Sequence, residues 1–228
     1  MLSADSSVRH PLPLPLPVPA PGRRLVKVCG LKDPANVAAV AALRPDLLGF
    51  IFAPRSPRYA ADTLDAARLR ALPVPKVGVF VNESPDVIRR LAQQFSLDAV
   101  QLHGQEPPAT CAALAAAGLP VIKAMGVGAA FDPRALDAYA PHCAFFVFDT
   151  AGPAAGGNGF AFDWTLLAAY DLPTPYLLAG GLGVADVAAL RQLRLPGLAG
   201  FDFNSKLETA PGLKDPALVQ QVLTARYP

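Results

Sequence analysis

Three residues of this 228-residue chain, Cys29, His103 and Asp149, are of types that move protons, and each closes a short apolar run. A thiolate is a base and nucleophile. A carboxyl group held near neutral is an acid, and an imidazole can serve on either side. Lys27, two residues before Cys29, and Lys123 on another apolar run are cations that would draw the thiol toward its ionised form. Arg58, in the segment SPRY, reads as a surface cation, though Ser56-Pro57 stiffens its approach. Gly180-Gly181 and Asn204-Ser205 sit in two loops of the kind whose backbone amides bind phosphate. Together these groups suit chemistry at one mouth on a small phosphorylated substrate.

Such groups act only if strands bring them to one place. From Leu25 onward the chain alternates short apolar runs with helical patterns, the pattern of a parallel sheet with crossover helices. The runs predict strands at Val26–Cys29, Leu47–Phe52, Lys76–Val81, Ala99–His103, Pro120–Lys123, Ala144–Phe148, Tyr176–Ala179 and Gly200–Phe203. Asp33-Pro34, Ser84-Pro85, Asp132-Pro133 and Asp215-Pro216 each pair a capping oxygen with a proline that loses nothing at the first helical position. Helical bodies are expected at Asn36–Leu43, Asp86–Phe95 and Asp186–Leu193. Eight such units predict an α/β fold, a (β/α)8 TIM barrel of one domain; an open doubly wound sheet is the alternative, weakened because no GxGxxG follows the first strand.

Alternation along each strand assigns faces. Lys27 and Cys29 share one; so do Ala99, Gln101 and His103; so do Phe145, Val147 and Asp149; so do Gly200, Asp202 and Asn204. These sets suit the barrel interior and its C-terminal mouth, where barrel enzymes keep their chemistry. Each residue has an ordinary alternative: a strand cysteine is more often core, a strand-end aspartate more often a cap, and paired glycines more often a tight turn. Cys111 and Cys143 fit the core reading. Asp202 also reads as interior glue, and His103 as a rim histidine that orients or binds rather than one that transfers a proton. Convergence on one mouth is what a purely structural barrel does not require.

Composition bounds the rest. The net charge is +2, from 20 basic and 18 acidic residues, which gives no broad surface for nucleic acid or anionic membrane. No apolar run nears the ~18 residues of a membrane span. Three cysteines without paired spacing fit a reducing, cytoplasmic setting and no metal or other cofactor is implied. Residues 1–24, with proline at every second position from Pro11 to Pro21, read as an extended, disordered arm, leaving 25–228 as the catalytic barrel. Gly152–Gly159, with Gly156, Gly157 and Gly159, reads as a flap over the mouth.

The motifs KVCGL (27–31), GFIFAPRSPRY (49–59), VGVFVNES (77–84), VQLHGQE (100–106), VIKA (121–124), FDT with GGNG (148–159), LLAGGL (177–182) and FDFNSKLETAPGLKD (201–215) occur in an order that resembles the phosphoribosylanthranilate isomerase family of tryptophan biosynthesis. The resemblance spans Val26 to about Lys214. It implies an Amadori rearrangement of N-(5-phosphoribosyl)anthranilate to the 1-deoxyribulose phosphate. Cys29 would be the general base and Asp149 the general acid, with Asp149 kept partly protonated by an apolar setting. Arg58, His103 and Asp202 would bind substrate, with Arg58 on the anthranilate carboxylate. Gly180, Gly181, Asn204 and Ser205 would hold phosphate. The only partner expected is that small molecule, and the chain is expected to be a monomer or homodimer. A neighbouring barrel, indole-glycerol-phosphate synthase, uses lysine and glutamate chemistry, against which Cys29 and Asp149 speak. A non-catalytic barrel, and activity on the histidine-pathway aminoaldose, stay open at this level. Departures from the family pattern are GGNGF in the flap, Lys206 where many members have glycine, and the proline arm.

Overall fold

The computed structural model describes residues 15–18, 20–128, 131–150 and 163–227. Eight parallel strands close into a barrel: β1 (Leu25–Val28), β2 (Leu47–Ile51), β3 (Lys76–Phe80), β4 (Ala99–Leu102), β5 (Val121–Val127), β6 (Phe145–Thr150), β7 (Tyr176–Leu178) and β8 (Leu198–Phe203). Closure is made by β8 pairing β1 in parallel, with Lys27 opposite Asp202 in register. The open-sheet alternative is thereby excluded. The predicted (β/α)8 architecture holds, with strand ends displaced by a few residues.

Alternation sorts the side chains into two cores. Leu25, Leu47, Val77, Ala99, Ile122, Phe145, Val147 and Leu177 fill the barrel interior. Val26, Val28, Val100, Phe146, Phe148, Phe201 and Phe203 lie in the outer core, against the surrounding helices. Every strand face assigned from the sequence is realised, because a period of two leaves each strand no other way to bury its apolar set.

The helical layer is less even. α1 (Pro34–Ala42), α2 (Ala66–Arg70), α3 (Pro85–Phe95) and α4 (Pro108–Ala116) follow the first four strands, and α5 (Val187–Gln192) and α6 (Pro216–Val222) follow the last two. Asp33, Ser84 and Asp215 cap α1, α3 and α6 as their Xaa-Pro pairs predict. Asp132 also accepts from the Arg134 amide, but only 3-10 turns follow, at Pro133–Leu136 and Ala140–His142. Pro141 explains the shortfall: its ring and missing N–H stop a longer helix from forming across it. After β8 the chain makes an unpredicted antiparallel hairpin, β9 (Glu208–Ala210) with β10 (Leu213–Lys214).

The inner end of the proline-rich segment touches the barrel. Leu16 packs against the interior core, the Arg23 guanidinium pairs with Asp46, and the Arg24 amide donates to the Arg226 carbonyl at 2.6 Å. Composition alone gives residues 20–24 no such anchor.

Candidate active site

Cys29 follows β1 directly, so its side chain continues the inward face of Leu25 and Lys27 and reaches the C-terminal rim. It is 5% exposed. The next residue has to be glycine: Gly30 has φ +79°, and a Cβ there would stand 2.4 Å from Asn204 Oδ1 and 2.8 Å from Arg58 Cδ. Asp149 and His103 arrive on the same rim from β6 and from the end of β4. His103 Nε2 lies 3.4 Å from Asp149 Oδ2, and His103 Nδ1 lies 3.0 Å from the Gln101 amide nitrogen. The other Asp149 oxygen accepts from the Thr150 amide at 2.8 Å.

One cavity at the mouth is lined by Cys29, Arg58, His103, Asp149, Gly180, Gly181, Asp202, Asn204 and Ser205. The described site residues singled out from the sequence therefore meet in a single place. Gly156, Gly157 and Gly159 lie outside the described residues. Gly180 (φ +97°) and Gly181 (φ +68°) turn the chain after β7, and a Cβ on Gly180 would collide with Thr150 Oγ1. Among the described residues, the amides of Gly181 and Ser205 have no protein acceptor, and so are available to an anion. Asn204 is already engaged: its side-chain oxygen accepts from Lys214 Nζ at 2.7 Å.

The electrostatics correct three expectations. The first concerns the thiol. Burial pushes Cys29 up, and although Lys27 and more distantly Lys214 pull it down, they do not prevail. Burial thus favours the neutral thiol at Cys29. The second concerns Lys123. Its neighbours Ile122 and Ala124 face the interior, so Lys123 points outward. There its ammonium donates to Glu106 at 3.1 Å and to the carbonyls of Leu102, Gly104 and Ala124. It is not among the groups acting on Cys29; Lys214 is. The third concerns Asp149, whose setting is polar, with the Thr150 amide on one oxygen and His103 beside the other.

Lys27 is fully buried and donates to Asp202 Oδ2 at 2.7 Å. Burial alone would depress its pKa, but the Asp202 carboxylate more than offsets this and holds the ammonium charged. Asp202 Oδ1 and Gln101 Oε1 are buried without a partner among the described residues, and both side chains border the cavity.

Two residues of the site went unnoticed in the sequence. Glu208, at the start of β9, receives Arg58 Nε at 2.8 Å and Arg58 Nη2 at 2.7 Å. Lys214, at the end of β10, donates to Glu208 Oε1 at 2.7 Å and is 1% exposed. Both fall within the motif at 201–215, but their place beyond the last barrel strand gave no reason to bring them back to the mouth.

Comparison with known proteins agrees with this geometry. The family model for N-(5'-phosphoribosyl)anthranilate isomerase matches residues 26–225. The N-(5'-phosphoribosyl)anthranilate isomerase of Phocaeicola vulgatus is 43% identical over 197 residues, covering 86% of this chain and 94% of the relative. The crystal structure of phosphoribosyl anthranilate isomerase from Thermus thermophilus superposes with a TM-score of 0.75 at 30% identity, covering 88% of this chain and 97% of that one. Another solved phosphoribosyl anthranilate isomerase, in complex with reduced 1-(o-carboxyphenylamino)-1-deoxyribulose 5-phosphate, superposes with a TM-score of 0.69 at 31% identity over 88% of this chain and 96% of that one. With the family model spanning the whole barrel and close relatives aligned over nearly their full length, the chain belongs to the N-(5'-phosphoribosyl)anthranilate isomerase family.

Proposed function

We propose that Cys29 and Asp149 are the base and acid of the isomerase reaction, the Amadori rearrangement of N-(5-phosphoribosyl)anthranilate in tryptophan biosynthesis. What carries the assignment is that the Cys29 thiol and the Asp149 carboxyl, from β1 and β6, border one cavity together with Arg58 and the two glycine- and serine-bearing loops. The reduced product analogue held by a solved relative has the groups this arrangement suits: a phosphate, a ribulose chain and an aromatic carboxylate.

The reaction begins with protonation of the furanose oxygen by Asp149 as the bond from that oxygen to the anomeric carbon breaks. The nitrogen lone pair moves in, leaving a protonated imine. His103, 3.4 Å from Asp149, orients the carboxyl group. Cys29 then takes the hydrogen from the adjacent ribose carbon. The electron pair neutralises the imine and gives an enolamine, which tautomerises to the ketone.

A thiol whose pKa is raised by burial does this work because the intermediate itself is a cation. The imine's positive charge beside Cys29 adds to Lys27 and favours the thiolate. The base is thus ionised, its own proton released to solvent, when there is a carbon-bound hydrogen to take. Arg58 pairs with the anthranilate carboxylate, and the amides around Gly180-Gly181 and Asn204-Ser205 hold the phosphate. Asp202 Oδ1, buried and unpartnered, accepts a hydrogen bond from a ribose hydroxyl.

The test follows the anthranilate chromophore during turnover, alongside calorimetric binding of the reduced product analogue. Cys29→Ala and Asp149→Asn are each expected to lower kcat by roughly 10²–10⁴-fold, the usual worth of a positioned acid or base, with analogue affinity kept. Activity near wild type in either variant, or loss of binding in step with turnover, overturns the assignment.

A further inference from the structure

We propose that Glu208 is a positioning residue for substrate recognition: it fixes the Arg58 guanidinium so that the outer donors of that group face the aromatic carboxylate. The inference rests on the reading of Arg58 as the partner of that carboxylate and deepens it.

A guanidinium offers two pairs of parallel donors, one along the Nε–Nη2 edge and one across its Nη1–Nη2 end. Glu208 occupies the first pair, at 2.8 and 2.7 Å. Among the described residues, Arg58 Nη1 has no partner, so the second pair remains for a ligand, and the Arg58 side chain borders the cavity. Glu208 therefore aims Arg58 without competing for the face that substrate needs. Glu208 is itself fixed, since its Oε1 also accepts from the Gly212 amide at 3.0 Å and from Lys214 Nζ at 2.7 Å. The β9–β10 hairpin is the frame that supplies all three of these groups. Of these groups Arg58 borders the cavity, and its outer donors carry the positive charge that complements an incoming carboxylate. Arg58 lies in a loop after β2 and carries a long side chain; free, it would lose its rotamer freedom on every binding event, and Glu208 removes that cost beforehand.

The experiment measures kcat and KM on N-(5-phosphoribosyl)anthranilate, and calorimetric Kd for two reduced product analogues, one with the aromatic carboxylate and one with a plain phenyl ring. The proteins are wild type, Glu208→Gln, Arg58→Ala and the double variant. Glu208→Gln is expected to raise KM, and Kd for the carboxylated analogue, by about three- to tenfold, the scale of ordering one long side chain. Its kcat should stay within about twofold, and the phenyl analogue should bind equally well. The double variant should match Arg58→Ala alone. An equal loss for both analogues, a fall in kcat at constant KM, or additive effects in the double variant overturns the proposal. If Arg58→Ala itself fails to discriminate the two analogues, the Arg58 reading falls as well, a result distinct from failure at Glu208 alone. Should Glu208→Gln not fold, Glu208→Asp carries the same comparison. Its shorter arm reaches only one of the two donors, so a smaller loss confined to the carboxylated analogue is expected, and an unselective loss counts against it.

Discussion

Two buried ion pairs in this barrel are built from the same chemistry and finished differently. Outside the sheet, Lys123 and Glu106 saturate each other's surroundings. Lys123 donates to three carbonyls besides the carboxylate, and Glu106 also accepts from the amides of Asn82 and Gly104. Inside the mouth, Lys27 and Asp202 meet at 2.7 Å, but among the described residues one Asp202 oxygen and the Gln101 side-chain oxygen on the same cavity have no partner. An unmet buried acceptor is costly in a folded protein and is expected where something else will meet it. The saturated pair holds loops together; of the unsaturated pair, Asp202 borders the cavity.

The largest effect that separates the two regions should be on stability. Lys123→Met leaves Glu106 buried with its charge uncompensated, and is expected to cost about 3–5 kcal/mol in urea unfolding, while the folded fraction keeps near-normal kcat. A destabilisation under about 1 kcal/mol would show that the network is not the structural one it looks to be. Next in size, Asp202→Asn should lower kcat/KM by roughly 10- to 100-fold, the worth of a hydrogen bond to a charged group. Glu106→Gln, measured the same way on folded protein, should lower it far less. Equal effects on kcat/KM would erase the distinction.

A third comparison concerns the thiol. Since burial raises Cys29 and Lys27 opposes that rise, Lys27→Met should move thiol ionisation in the empty enzyme to still higher pH. Thiolate absorbance near 240 nm, or the pH dependence of iodoacetamide alkylation, reads this directly. An unchanged or lower ionisation pH would remove Lys27 from the account of the base. The smallest effect is at acid pH. Burial pushes the Glu208 carboxyl up, but hydrogen bonds from Arg58 and Lys214 outweigh it and hold the group at about 2 instead of 4.5. A pKa that is lower in the folded state gives stability that is full above the unfolded value and fades as pH falls from about 4.5 toward 2. Glu208→Gln should therefore be less stable at neutral pH, with a shallower loss across that window; parallel curves would contradict it.

Much of this molecule could be read from its residues, for reasons that differ from place to place. The eight strands and their faces follow from alternation, since a strand between a packed interior and a helical shell has one way to bury its apolar set. Lys123 obeys the same rule: Ile122 and Ala124 take the interior positions, so its outward direction is legible in the sequence whatever its charge suggests. Asp132-Pro133 was a sound capping signal that Pro141 cut short.

By itself the sequence determined the eight strands and their faces, the capped helices, and the placing of Cys29, His103 and Asp149 at the C-terminal ends of their strands, because these depend on local period and on strand direction alone; closure of β8 on β1 is what brings the three to one rim. Only the tertiary structure decided that Arg58 is gripped by Glu208, that Lys214 and not Lys123 is the second cation near the thiol, and that burial outweighs charge at Cys29. Each of these depends on distances between residues far apart in the chain, such as the 150 positions between Arg58 and Glu208. A hairpin folding back over the mouth sets those distances, and no periodicity within any one segment encodes them.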